Sequence, residues 1–499
     1  MSNIHLSKSK YCQCVQCEKI FWLNKYKPEC AAGADKTVIF ENGHKVGELA
    51  KGLFGDYEDV PFDITLTPMI ERTEELLQNK PNIITEASFS YDNNFCSVDI
   101  LKNDEEGVEI YEVKSSTGMK DIYLDDASYQ CYVLSNLGYN VKKVAIVYIN
   151  NQYIKGNQDV KDELDKFFLI EDITDIAFLK QDEIRDKIEM INLFMSEHDE
   201  NHEPFKKLRM QCFDPYPCDF WQYCTRDLPK PNVFDIRNMG RNQKFEKYHE
   251  GKVSFEDLQN EKLNPKYLEQ IDFELNDKDP KINKEAIRRL LNSLKYPLYF
   301  IDYESYNVPI PEIEGTKPYQ QLPFQYSLHI VKEEGGPLEH KEFLAEVDDK
   351  NFIRHFAESV ISDLSEDGSV IVYNRTFESS VNRKIGEMYP DLKDEMDRIN
   401  NNIVDFMKPF QERNYYVKDM EGSYSIKKVL PALYPDDSNL NYDSLNGVHN
   451  GGEASETFVS LKDKSPEEQE ETRKDLLEYC KLDTYAMVKI WEKFKEVIA

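Results

Sequence analysis

The sequence predicts a mixed α/β protein built on two separate cores. Three observations carry that expectation. Strand-like and helix-like patterns alternate once near each end of the chain, a charged and mostly helical stretch separates the two regions, and 499 residues are more than one ordinary core organises. The boundaries fall at residues 1–226 for the first core, 227–297 for a helical connecting region and 298–499 for the second core.

The elements follow in order. After a helix-rich start, "NIITEASFSY", "FCSVDIL" and "GVEIYEVKSS" read as three strands, "YLDDASYQCYVLSNLGYN" as a helix and "KKVAIVYI" as a further strand. In the connecting region "NKEAIRRLLNSL" is the clearest amphipathic helix. In the second core "LYFIDYES", "PFQYSLHIVK" and "SVIVYN" are predicted strands. "KNFIRHFAESVISDL" and a segment from about Thr376 are predicted helices. A long final helix runs from "SPEEQEE" to the end, and its serine, proline and early acids suit a helix start. No internal repeat or low-complexity tract interrupts this order.

Composition narrows the function. A net charge of −31 argues against non-specific coating of nucleic acid, which relies on basic surface, but leaves room for an enzyme that grips phosphates locally through divalent ions. No apolar run reaches the roughly 18 residues of a membrane span, and the first residues lack a signal peptide's apolar core. The expected location is cytoplasmic, with no membrane partner. In that reducing setting the ten cysteines read as metal ligands or buried thiols rather than disulfides.

The segment "YFIDYES" raises a sharper question. A strand's period of two puts Asp302 and Glu304 on one face, where two carboxylates repel unless water or a cation compensates them. Alone, such a pair reads as a solvated strand end. Glu378, just past the strand in "VIVYNRTFESS", and Tyr479 and Asp483, four apart on the last helix, change the balance. Four carboxylates can hold two divalent cations about 4 Å apart, and a tyrosine hydroxyl can orient water.

In this order and spacing the residues resemble the DnaQ-like 3′-5′ exonucleases of the tyrosine-containing subgroup, over Leu298 to Ala499. The resemblance implies an RNase H-like fold, magnesium or manganese ions held by Asp302, Glu304, Glu378 and Asp483, and a water positioned by Tyr479. Glu378 stands where the second motif usually carries aspartate. Asp405 is a possible compensating acid, and His449 lacks the aspartate that the histidine subgroup would need.

In the first core Asp99 lies on one strand and Glu112 and Lys114 lie two apart on the next, hence on one face. An E-x-K pair alone reads as a solvated cross-strand pair. With Asp99 and the strand order it resembles the PD-(D/E)xK nucleases of the RecB-like branch, which implies metal ligands Asp99 and Glu112 and a charge-stabilising Lys114. Gln130 and Tyr132 fall on the following helix, without the usual Q-x-x-x-Y spacing. Glu86 is an additional candidate acid, and His44 or Glu48 stand nearest to the branch's histidine.

Cys212, Cys218 and Cys224, each separated by five residues, and Cys17 far upstream bracket this core. Their arrangement resembles the iron-sulfur RecB-like nucleases, which implies a four-cysteine 4Fe-4S cluster tying the ends of the domain together. Tetrahedral zinc is the alternative for four thiolates, and Cys14 with Cys17 would make one C-x-x-C pair.

Taken whole, the chain resembles a bacterial family that fuses an iron-sulfur RecB-like nuclease, similar to the CRISPR-associated adaptation nuclease, to a DnaQ-like exonuclease. "LSKSKY", "PFQYSLHI" and "IKKVLPALYP" also look familial. The expected partner is DNA, single-stranded or with free 3′ ends, and the expected role is processing of DNA ends in repair, recombination or defence. An RNA exonuclease and a nucleic-acid-binding module with one degenerate site are the alternatives.

Overall fold

The computed structural model describes residues 5–32, 37–437 and 440–499. The chain divides into two compact units: one runs to Leu228 and also takes in Val308–Tyr319, and the other comprises Pro229–Asn307 and Gln320–Ala499.

The first unit is built on one mixed sheet. Its strands are β1 (Leu6–Ser7), β2 (Glu58–Asp59), β3 (Ile83–Tyr91), β4 (Asn94–Asp104), β5 (Gly107–Lys114), β6 (Val141–Ile149) and β7 (Phe168–Asp172), in the order β2-β3-β4-β5-β6-β7. β3, β4 and β5 form an antiparallel meander, while β5 and β6 run parallel. That parallel step needs a crossover, and the helix Asp121–Asn136 supplies it. β1 pairs in parallel with the start of β4, at Asn94 and Phe95. The β4–β5 turn needs a glycine: Gly107 has φ +148°, and a Cβ there would lie 2.1 Å from the Asn140 carbonyl oxygen.

Both faces of this sheet are covered, so β6 is an almost continuous apolar run. On one face Ala127, Tyr129, Val133 and Leu134 of the crossover helix pack with Val98, Leu101, Ile110 and Val144. On the other, Ile100, Tyr111, Ala145 and Val147 pack with Val46, Ala50 and Phe167, and Ile310 and Tyr319 join this cluster. The segment Val308–Tyr319 is held by backbone hydrogen bonds between Lys155 and Thr316 (2.9 Å) and between Gly315 and Lys155 (2.8 Å). Tyr319 donates its hydroxyl proton to the Ser115 carbonyl.

In the second unit β8 (Lys281–Ile282) forms a short ribbon with β14 (Tyr415–Tyr416). The main sheet comprises β9 (Leu298–Tyr306), β10 (Leu322–Val331), β11 (Leu338–Leu344), β12 (Ser369–Val372) and β13 (Ile403–Asp405), in the order β11-β10-β9-β12-β13. β9, β10 and β11 are antiparallel to their neighbours, whereas β9, β12 and β13 are parallel. The helix Pro466–Ile498 starts at a capping box formed by Ser465 and Glu468. Its residues Met487, Ile490, Trp491 and Phe494 pack on Phe300, Ile371 and Phe406.

Two expectations need adjustment. The stretch from Pro229 to Pro297 is not a separate connection: Phe273 and Ile287 belong to the second unit's main core, and Val233, Ile236, Phe255 and Leu258 build a satellite cluster beside it. β11, "LEHKEFL", went unpredicted because it is an edge strand whose charged side chains remain exposed and leave no apolar period to read. Among the described residues no helix is long and apolar enough to cross a membrane.

Candidate active sites

In the second unit β9 presents Asp302 and Glu304 on one face and Ile301 and Tyr303 on the other, as the period of a strand requires. The register of the last helix decides what meets them. Gln325 Nε2 donates to the Leu476 carbonyl at 2.7 Å, and Ser327 Oγ lies 2.8 Å from Thr484 Oγ1. Because Gln325 and Ser327 stand opposite Glu304 and Asp302 on β10, these bonds lock Tyr479 and Asp483 over the β9 acids. One oxygen each from Asp302, Glu304 and Asp483 lie within 4.8 Å of one another, and among the described residues no other set of three such ligand atoms is this close.

Glu378 enters from the first turn of the helix Arg375–Met388, after β12 ends at a left-handed Asn374 (φ +90°). It is fully buried, and its Oε2 accepts no hydrogen bond from the described residues. Burial of an acid without a partner is costly. Accordingly burial, together with neighbouring acids, pushes Glu304 up to about 8 and Glu378 up to about 8. Asp302 is raised well above the carboxylate range by burial and by Asp483, Glu304 and Glu378. Burial also raises Asp483, against the hydrogen bond that Tyr442 donates to its Oδ1 at 2.6 Å. Tyr479 donates to Asp483 as well.

Asp302, Glu304, Tyr479 and Asp483 line a cavity of about 460 Å³ that also includes Tyr373, Phe377, Lys427 and Gly451, whereas Glu378 is not among its lining residues. Gly451 allows the close approach of backbone to the acids: a Cβ there would sit 3.3 Å from Glu304 Oε2. Asp405 is committed elsewhere, accepting hydrogen bonds from the backbone N–H groups of Asn374, Arg375 and Met407 (3.2, 3.2 and 2.9 Å). It therefore shapes the loop that delivers Glu378. His449 pairs with Glu453 at 3.0 Å and its ring does not line the cavity. Lys427 and Tyr442 had no local sequence signal, since each meets the acids only through the tertiary fold.

The first unit brings Asp99, Glu112, Lys114 and Gln130 together. Asp99 Oδ2 accepts from the Val113 N–H at 2.7 Å, which fixes β4 against β5 beside Glu112. Gln130 Nε2 donates to Glu112 Oε2 at 2.5 Å, and Lys114 Nζ donates to Glu112 Oε1 at 2.6 Å. Two residues without a predicted role complete the group. Lys8, from "LSKSKY", donates to Glu112 Oε1 at 2.8 Å and lies 3.4 Å from Asp126, which also accepts from Lys114. Burial opposes charge on both lysines, but Asp126 and Glu112 more than offset it and raise them above the usual lysine range. Burial raises Asp99 and Glu86. Tyr132 packs edge-on against Tyr91 and Glu48 pairs with Lys51 at 2.7 Å, so neither belongs to this group.

Cys17, Cys212, Cys218 and Cys224 line one small recess with Ile20, Leu23, Leu208 and Trp221. Burial raises each thiol, while the backbone N–H groups of Lys19 and Ile20 at Cys17 and of Phe220 at Cys218 act in the opposite sense. The four sulfurs do not form a set of three within 4.8 Å.

Comparison with known proteins returned no match among curated proteins and none among solved structures. Residues 299–425, a span that holds Asp302, Glu304, Glu378 and Asp405 and stops before Tyr479 and Asp483, match the family described as a domain of unknown function, DUF2779.

Proposed function

We propose that the chain is a metal-dependent nuclease whose principal hydrolytic site is the acidic cavity of the second unit. The observation that carries this reading is the convergence of Asp302, Glu304 and Asp483 within 4.8 Å, with no lysine or arginine ion-paired to them among the described residues. The unpartnered oxygen of buried Glu378 supports it. Three or four carboxylates of this kind suit magnesium or manganese, which would supply a nucleophile at neutral pH and stabilise the charge of a phosphodiester undergoing displacement.

The chain's own residues then have definite tasks. Asp302, Glu304 and Asp483 would hold the cation, with Glu378 at the neighbouring helix start as a fourth candidate ligand, and Tyr442 fixes the orientation of Asp483 through its hydrogen bond. Tyr479, whose hydroxyl points to Asp483, orients the attacking water. The order β11-β10-β9-β12-β13, with the acidic pair on the central strand, supports an RNase H-like core of the DnaQ-like kind. In the first unit the antiparallel meander, the parallel crossover and the grouping of Asp99, Glu112 and Lys114 support a PD-(D/E)xK core of the RecB-like kind.

For the cysteines we favour a 4Fe-4S cluster over zinc. The four thiols share one recess, as a four-cysteine cluster requires, and Cys212, Cys218 and Cys224 lack the C-x-x-C pairing of a zinc ribbon.

Titration of magnesium and of manganese against labelled single-stranded DNA and RNA of one sequence tests the reading. Metal-dependent, stepwise shortening from the 3′ end of DNA is the expected result. Shortening of RNA alone would assign the site to RNA, and binding without cleavage of either would reduce the chain to a binding module.

A further inference from the structure

We propose that Lys427, which "IKKVLPALYP" brings into the acidic cavity, receives the phosphate of a nucleoside 5′-monophosphate unit there. Among the described residues Lys427 is the one cationic side chain that lines the cavity. Its ammonium is held between two aromatic faces, 5.2 Å from the ring centres of both Tyr442 and Tyr479, and donates to the His449 carbonyl at 2.7 Å. Lys8 and Lys114 of the first unit are neutralised by ion pairs at 2.8 and 2.6 Å. Among the described residues Lys427 forms no such pair, so its charge is available to a ligand, and it acts against the burial that raises Glu304 and Asp483.

The ligand that fits this arrangement is anionic, tetrahedral and able to face carboxylate-bound cations on one side and an ammonium on the other. A phosphate monoester or diester has that chemistry. The cavity is also lined by Tyr373 and Phe377, aromatic side chains beside which a base can pack, and about 460 Å³ is room for a nucleotide rather than a bare phosphate. A cation fixed at the phosphate contributes most when charge accumulates on it during displacement.

This inference rests on the nuclease reading, and its test separates the two. Binding of thymidine 5′-monophosphate and of thymidine would be measured by calorimetry in manganese for the wild type, Lys427→Met and Lys427→Arg, beside manganese binding and 3′-end trimming of labelled DNA. The expected result is that the wild type prefers the monophosphate to thymidine. Lys427→Met should weaken monophosphate binding about tenfold or more without weakening manganese binding, and Lys427→Arg should recover most of it. Monophosphate binding by Lys427→Met equal to the wild type would overturn the inference. So would a wild type indifferent to the phosphate. If trimming persists in either case, the nuclease reading stands without the role for Lys427; if trimming is also absent, both fall.

Discussion

The two acidic groupings of this chain solve opposite electrostatic problems. In the first unit Glu112 and Asp126 are met by Lys8 and Lys114 at 2.8, 3.4 and 2.6 Å or closer, so the buried charges compensate one another within the protein. In the second unit Asp302, Glu304 and Asp483 converge, met among the described residues by tyrosine hydroxyls, the Cys480 thiol at 3.9 Å from Asp302 and a more distant Lys427, with no ion pair. Glu112 and Asp126 have their charge met by lysines of the chain, although Asp126 Oδ1 and Gln130 Oε1 find no hydrogen bond among the described residues, whereas three converging carboxylates repel one another until a proton or another cation joins them.

The largest effect that would break this comparison is removal of one second-unit acid. Asp302→Asn should reduce metal-dependent trimming by about 10³-fold or more, the scale on which loss of an electrostatic stabiliser of the transition state acts. Gel assays of labelled DNA measure it, and activity within tenfold of the wild type would remove Asp302 from the site.

Next in size, Cys212→Ser should abolish the brown colour expected of anaerobically purified protein. It should also lower the melting temperature of the first unit by on the order of 10 °C, the scale of about 3 kcal/mol in a unit of this size. A colourless, fully folded wild type containing one equivalent of zinc would contradict the iron-sulfur assignment.

The comparison is sharpened by pH. Glu304 and Glu378, raised to about 8 by burial and nearby acids, keep a proton in the folded chain that they lose in the unfolded chain above the ordinary glutamate range near 4.5. In that window the folded state binds more protons, so without divalent metal stability falls as pH rises from about 4.5 to about 8 and then levels off. Manganese should flatten this fall. Lys8 and Lys114, buried but raised by Asp126 and Glu112, keep their contribution across the same window and lose it only above the ordinary lysine range. Melting curves from pH 5 to 9 in chelator and in manganese test the contrast; an identical slope in both would count against a metal site at these acids.

The smallest expected change is Tyr442→Phe, which leaves all four acids in place and deletes the 2.6 Å hydrogen bond to Asp483. Loss of such a supporting partner should weaken manganese binding about tenfold, measurable by calorimetry. An unchanged affinity would show that Asp483 is oriented by Tyr479 and the helix alone.

How much of this was legible in the sequence depended on the separation of the residues involved. Asp302 with Glu304, Glu112 with Lys114, and Tyr479 with Asp483 are local pairs, and the periods of a strand and a helix place each pair on one face. That Glu378 starts a helix after a buried strand was legible for the same reason. Lys8 stands 104 residues from its partner Glu112, and Tyr442 stands 41 from Asp483, so no local pattern relates them. The region after Pro229 read as a connection because its charged surface hides the few side chains, Phe273 and Ile287 among them, that enter the main core. Asp405 read as a spare acid because its role, capping three backbone N–H groups, is set by the turn after β12.

The most direct test of the central claim compares 3′-end trimming of 5′-labelled single-stranded DNA in manganese by the wild type, Asp302→Asn and Lys114→Ala under one set of conditions. A hydrolytic site at the β9 acids predicts a ladder of stepwise products from the wild type and from Lys114→Ala, and none from Asp302→Asn. A ladder that survives in Asp302→Asn and vanishes in Lys114→Ala would place the trimming in the first unit and contradict the assignment of the hydrolytic site to the acids of β9.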